Sequence, residues 1–142
     1  MRKLARPGRS RAKRTHADTT PMKDYKAARA MYVAGQMSRA AAAFRTFVKR
    51  HTSHSYADNA LYWLGECLYD SKNYRLALKM FRRVVEEYPT GNKAPDALLK
   101  MGFSYIKLEE RSNARTVLAQ LVQSYPRSRV ARLASDALVR IQ

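Results

Sequence analysis

Little in this sequence could cross-link it or carry it through a membrane. Cys67 is the only cysteine, which excludes an internal disulfide and a cysteine-based zinc site. No apolar run reaches the roughly 18 residues of a membrane-spanning helix. The basic N-terminus is not followed by the apolar segment and small-residue cleavage site of a signal peptide. After Arg14 comes the polar run Thr-His-Ala-Asp-Thr-Thr-Pro. Glycine-rich phosphate loops, Ser-His-Asp order and paired carboxylates are also missing, so neither catalytic residues nor a cofactor is expected. His51 and His54 lie in a Thr/Ser connector without a nearby cysteine or carboxylate cluster, and no metal site is expected there.

Acids are scarce as well. Eleven Asp and Glu face 28 Lys and Arg, a net charge of +17. Residues 1–20 hold seven of the bases (Arg2, Lys3, Arg6, Arg9, Arg11, Lys13 and Arg14) and one acid, Asp18, so +6 sits there and +11 on the rest. Such a surface attracts acidic partners, phosphate polymers and anionic headgroups included. Having so little to bury, residues 1–20 are expected to form a disordered basic tail. The tail has no interleaved aromatic on which bases could stack, so any nucleic-acid binding would be sequence-blind, and a nucleic-acid partner is not expected.

What is present is a repeat. Leu64, Gly65, Leu68, Ala77, Phe81, Val84 and Pro89 recur, with substitutions, at a 37-residue period on both sides. Gly65 corresponds to Ala28 and Gly102, Ala77 to Ala40 and Ala114, and Phe81 to Phe44 and Leu118. Tyr88-Pro89 corresponds to His51-Thr52 and Tyr125-Pro126. Self-similarity of this size marks a helical solenoid.

Periodicity and breakers predict helices over about Met22–Val33, Ser38–Arg50, Tyr56–Asp70, Tyr74–Glu87, Ala94–Leu108, Ser112–Ser124 and Val130–Ile141. Thr20 would cap the first, with Pro21 at its opening position. The domain is thus an all-α array of three helix-turn-helix repeats, about 21–55, 56–92 and 93–129, closed by a capping helix over 130–141. Small residues at Gly65 and Ala77 let the paired helices approach, and Phe44, Phe81 and Leu118 are expected to fill the space between adjacent repeats.

The central repeat resembles the 34-residue tetratricopeptide consensus with three extra residues in the loop between repeats. Residues 22–142 more closely resemble the C-terminal domain of the Tol-Pal system YbgF/CpoB family of cell-division coordinators. The likeness rests on the stretches Asn59 to Glu66, Tyr74 to Phe81, Val84 to Pro89 and Lys93 to Gly102. It implies a periplasmic, non-enzymatic adaptor that binds a TolA-like or peptidoglycan-synthase-associated protein and couples wall synthesis to outer-membrane constriction. Family members begin with a signal peptide and a trimerising coiled coil. This sequence shows neither, so trimerisation is not carried over and a cytoplasmic location stays open. Other readings of the same repeats are a scaffold like the outer-membrane assembly lipoproteins, or a cytosolic protein whose basic tail binds nucleic acid or acidic lipid.

Arrays of this kind bind partners along the face lined by the first helix of each repeat. With Gly65 as the eighth position, the expected groove residues are Tyr25, Arg29 and Tyr32 in the first repeat. They are Asn59, Tyr62, Glu66 and Tyr69 in the second, and Leu99, Phe103 and Ile106 in the third. Aromatics rimmed by charge suit an extended or helical peptide; the alternative is that several of these tyrosines pack between neighbouring helices. Trp63 falls one step off this stripe and is expected to pack between repeats, and Cys67 to be a small packed residue.

Overall fold

The computed structural model describes the backbone of residues 6–142 and side chains from Thr20 onward. The described residues form seven helices, α1 (Arg6–Val33), α2 (Met37–Arg50), α3 (Ala57–Asp70), α4 (Tyr74–Glu87), α5 (Ala94–Lys107), α6 (Arg111–Ser124) and α7 (Ala131–Arg140). Each packs against its neighbours in sequence, and α7 also reaches α5. From α2 to α7 the bounds agree with the sequence reading to within a residue or so.

The first helix departs from expectation. It runs from Arg6 and carries Pro21 inside it, where a start at Thr20-Pro21 and a disordered tail had been expected. Arg, Lys and Ala are good helix formers. A helix anchored by Tyr25 and Ala28, both buried, extends backward without a new nucleation step. Pro21 cannot donate to the carbonyl four residues earlier, but one missing bond does not end the helix. Residues 1–5, with Arg2 and Lys3, lie outside the described residues.

The turn inside each repeat is built the same way three times. Among the described residues, Gly35, Lys72 and Glu109 are those with positive φ, at +80°, +65° and +61°. Their N–H groups donate to Tyr32, Tyr69 and Ile106, while the next residues, Gln36, Asn73 and Glu110, donate to Met31, Leu68 and Tyr105. This pair of bonds closes the carbonyl end of a helix and requires a left-handed residue, which glycine supplies without strain. Only the first repeat has glycine there. Replacing Lys72 or Glu109 with glycine is expected to raise stability by up to about 1 kcal/mol each in urea titrations, the relief of left-handed strain less the added chain entropy.

The loop between repeats is also repeated bond for bond. His54, Gly91 and Ser128 donate to the carbonyls of His51, Tyr88 and Tyr125, and Ala57, Ala94 and Ala131 donate to His54, Gly91 and Ser128. The tyrosine of each Tyr-Pro pair reaches back to the preceding loop: Tyr88 Oη donates to the Thr52 carbonyl at 3.3 Å and Tyr125 Oη to that of Pro89 at 2.7 Å. The first repeat makes a different contact. Its equivalent residue, His51, meets the Asp24 carboxylate of α1 at 3.0 Å.

Between the two helices of a repeat, the small-to-large pairs do the packing. A Cβ built on Gly65 would lie 2.5 Å from Cε1 of Phe81, and one on Gly102 would lie 2.4 Å from Cδ2 of Leu118. Phe81 and Leu118 are fully buried. Phe81 thus sits on the glycine of its own repeat, where the sequence reading had put it between repeats. At the C-terminal end Ala131, Ala134 and Ala137 of α7 are buried, while Leu133 and Val139 are 50% and 68% exposed.

Candidate functional site

The first helices of the repeats, α1, α3 and α5, share one face, and their side chains touch in sequence across it. From α1, the Arg29 guanidinium stacks 4.4 Å from the Trp63 ring, and the Tyr32 ring lies 5.1 Å from it. Tyr32 Oη donates to Asp70 at 3.0 Å. Within α3, Trp63 meets Tyr62 edge-on at 5.5 Å, and Tyr62 Oη donates to Glu66 at 3.2 Å. From α5, Lys100 Nζ lies 4.1 Å from the Tyr69 ring and 6.0 Å from that of Phe103. Lys93, just before α5, covers Tyr62 at 4.9 Å and Trp63 at 5.6 Å. The result is a ladder of rings with cations between them, in which each cation is held by the ring quadrupole and Lys100 also by the Glu66 carboxylate.

The ladder separates the expected groove residues into two groups. Tyr25, Tyr62 and Leu99 are buried, at 7%, 9% and 7% exposure. Tyr25 packs against Phe44, Phe47 and Tyr56, and Tyr62 lies against Phe81. All three occupy the fifth position of their helix, so the correction is systematic. The fifth position is three residues from the eighth, which faces the second helix of the repeat, and residues three apart share a helix face. Arg29, Tyr32, Asn59, Glu66, Tyr69, Phe103 and Ile106 are half-buried.

Three ring or cation participants were not among the expected groove residues. Trp63 packs between α1 and α3 as expected, yet it is half-buried and joins the ladder. Its equivalent in the third repeat is Lys100. The sixth position therefore belongs to this face, on the same side as the ninth. Lys93 reaches in from a loop, and no helical spacing could have signalled it.

Glu66 is the electrostatic centre. The Lys100 ammonium stands 3.2 Å from its Oε1, an ion-pair distance, though Oε1 has no partner at hydrogen-bonding angles. Burial raises the Glu66 carboxyl above its ordinary value, against the lowering effect of Lys100 and Tyr62. Burial first, then Asp70, raises the Tyr32 phenol; burial first, then Glu66, raises that of Tyr62. Both remain protonated donors. Burial likewise pushes the Cys67 thiol up to about 12, and with 1% exposure Cys67 is a packed thiol. Among the described residues, Arg29 Nε and Asn59 Oδ1 are buried side-chain polar atoms without a hydrogen-bond partner, as is Ser128 Oγ in the loop before α7; Glu66 Oε1 has the Lys100 ammonium beside it. Arg29 and Asn59 lie on the first helices of the repeats.

Two family models, each described as tetratricopeptide repeat, match residues 25–92 and 96–128. These are tetratricopeptide repeats. The chain thus forms a tetratricopeptide-repeat solenoid, an interaction fold whose partners are proteins. Among solved structures, a chain described as "MamA RS-1 ArsTM double mutant" superposes with a TM-score of 0.66 at 20% identity, covering 89% of this chain and 76% of that one. That likeness is one of fold. No curated protein sequence matches. Among the described residues, no helix is long and apolar enough to cross a membrane.

Proposed function

We propose that this tetratricopeptide-repeat domain is a non-enzymatic adaptor of the bacterial cell envelope that holds a segment of a protein partner against the ladder of α1, α3 and α5. The observation that carries the reading is the continuity of that ladder from Arg29 and Tyr32 through Trp63, Glu66 and Tyr69 to Lys100 and Phe103. Rigid rings bury area at low entropy cost, and unpartnered polar atoms beside them can be satisfied by a peptide backbone once the half-buried side chains shift. The sequence resemblance to the Tol-Pal coordinators supplies the partner class, a TolA-like or peptidoglycan-synthase-associated segment, and the periplasm as its setting.

The buried fifth-position residues are poor probes, because changing Tyr62 disturbs the core along with the face. Tyr69 and Phe103 are the better pair. Changing both to alanine is expected to weaken binding of a TolA-like segment about tenfold or more by calorimetry, with far-ultraviolet helicity retained. Unchanged affinity would move the binding face elsewhere.

A further inference from the structure

The opposite side of the solenoid, lined by the second helices, has a different chemistry. α2 carries Arg39, Arg45, Lys49 and Arg50 and no acid. α4 carries Arg75, Lys79, Arg82 and Arg83 against Glu86 and Glu87. α6 adds Arg111 and Arg115 and no acid. By contrast α3, in the ladder, has Asp58, Glu66 and Asp70 and no base. The charge surplus of the repeats is therefore sided, concentrated on the second helices.

Between α2 and α4 this basic side opens into a groove of about 500 Å³. Val48, Leu64 and Met80 form its apolar lining, and Arg45, Lys49 and Arg83 stand around it. Arg83 is shared with Glu87 at 2.9 Å. Arg45 and Lys49 are exposed, and their side chains have no ion-pair or hydrogen-bond partner among the described residues. Unneutralised cations around an apolar floor are a surface with two demands, negative charge and a hydrophobic anchor.

We infer that the groove between α2 and α4 is a second docking surface, for an acidic amphipathic protein segment that sets an apolar side chain on Val48, Leu64 and Met80 and its carboxylates against Arg45, Lys49 and Arg83. Charge complementarity selects an anionic occupant, and the floor selects among anions. A phosphate backbone has nothing to place on it, and no lining residue is aromatic, so bases find no stacking platform. A groove between two helices also fits a single narrow segment better than the broad plane of a bilayer. This surface is independent of the ladder, so the two assignments stand or fall separately.

The test is fluorescence anisotropy of a labelled helical peptide of about 16 residues, with leucines along one face and glutamates elsewhere, titrated with the full chain. The double reversal Arg45→Glu with Lys49→Glu is expected to weaken binding about tenfold or more. The Tyr69→Ala, Phe103→Ala chain should bind the peptide unchanged. Should the reversal disturb folding, judged by helicity and melting, Arg45→Gln with Lys49→Gln serves instead and is expected to weaken binding in the same direction. Unchanged affinity in these variants would overturn the proposal. So would equal affinity for a glutamate peptide of the same charge without leucines, because the floor would then contribute nothing. Tighter binding of a single-stranded oligonucleotide or of phosphatidylglycerol vesicles that displaces the peptide would overturn the choice of occupant.

Discussion

Phe81→Ala is expected to lower the unfolding free energy by about 3–5 kcal/mol in urea denaturation, the range for removing a fully buried aromatic. The ring has no exposed surface, lies on the bare Cα of Gly65 and stands 5.6 Å from the Tyr62 ring. Removing it opens a cavity that Gly65 has no side chain to fill. The cost should reach the neighbouring repeats, because a solenoid is held together only by nearest-neighbour interfaces. The converse change, Gly65→Leu, drives a side chain into the space Phe81 occupies and is expected to cost at least about 1–3 kcal/mol. A loss below about 1 kcal/mol for Phe81→Ala would mean that the pair is not what holds α3 to α4.

Lys100→Ala is expected to destabilise the domain by about 3 kcal/mol at neutral pH, the low end for stripping one partner from a buried ion pair. The low end applies because the side chains of Lys100 and Glu66 keep 19% and 13% exposure. The loss includes the stacking of the ammonium on Tyr69, and its signature is in the pH dependence. The folded-state Glu66 carboxyl is already raised above its ordinary 4.5 by burial. A carboxyl raised in the folded state favours folding when protonated. Its contribution is therefore complete below pH 4.5, the unfolded value, and is lost as pH rises through the folded value. Without Lys100 the folded value rises further and the loss at neutral pH deepens. The deficit of Lys100→Ala should thus shrink on acidification towards pH 4.5, as judged by chemical denaturation at several pH values. Glu66→Gln should remove this dependence from both backgrounds.

Most of the fold was legible because a repeat states its packing three times. The alignment of Gly65 with Ala28 and Gly102 located the close helix contact, and Tyr-Pro located the second and third loops. The sequence could not show that Lys72 and Glu109 adopt the left-handed conformation of Gly35, since neither is a residue type that advertises it. Nor did Pro21 stop α1, because a packed helix with strong formers before it tolerates one missing bond. In the face itself, the second-repeat tyrosines were visible but their directions were not. Spacing places a residue on a helix; which side meets the partner helix follows from the eighth-position contact, and that contact moves the fifth position inside and brings the sixth, Trp63 and Lys100, out. Lys93 and the sidedness of the charge arise from residues far apart in sequence, so only the assembled array displays them.

Trp63 gives the most direct measurement of the central claim, that the partner lies along the ladder. It is the only tryptophan, it is half-buried, and the Arg29 guanidinium stacks on its ring, so a segment laid over Tyr32, Tyr69 and Phe103 must alter its surroundings. Titration with a tryptophan-free TolA-like segment should shift or quench Trp63 emission with the same dissociation constant that calorimetry returns. Both signals should weaken together in the Tyr69→Ala, Phe103→Ala chain. Saturable binding by calorimetry with Trp63 emission unmoved would contradict the account.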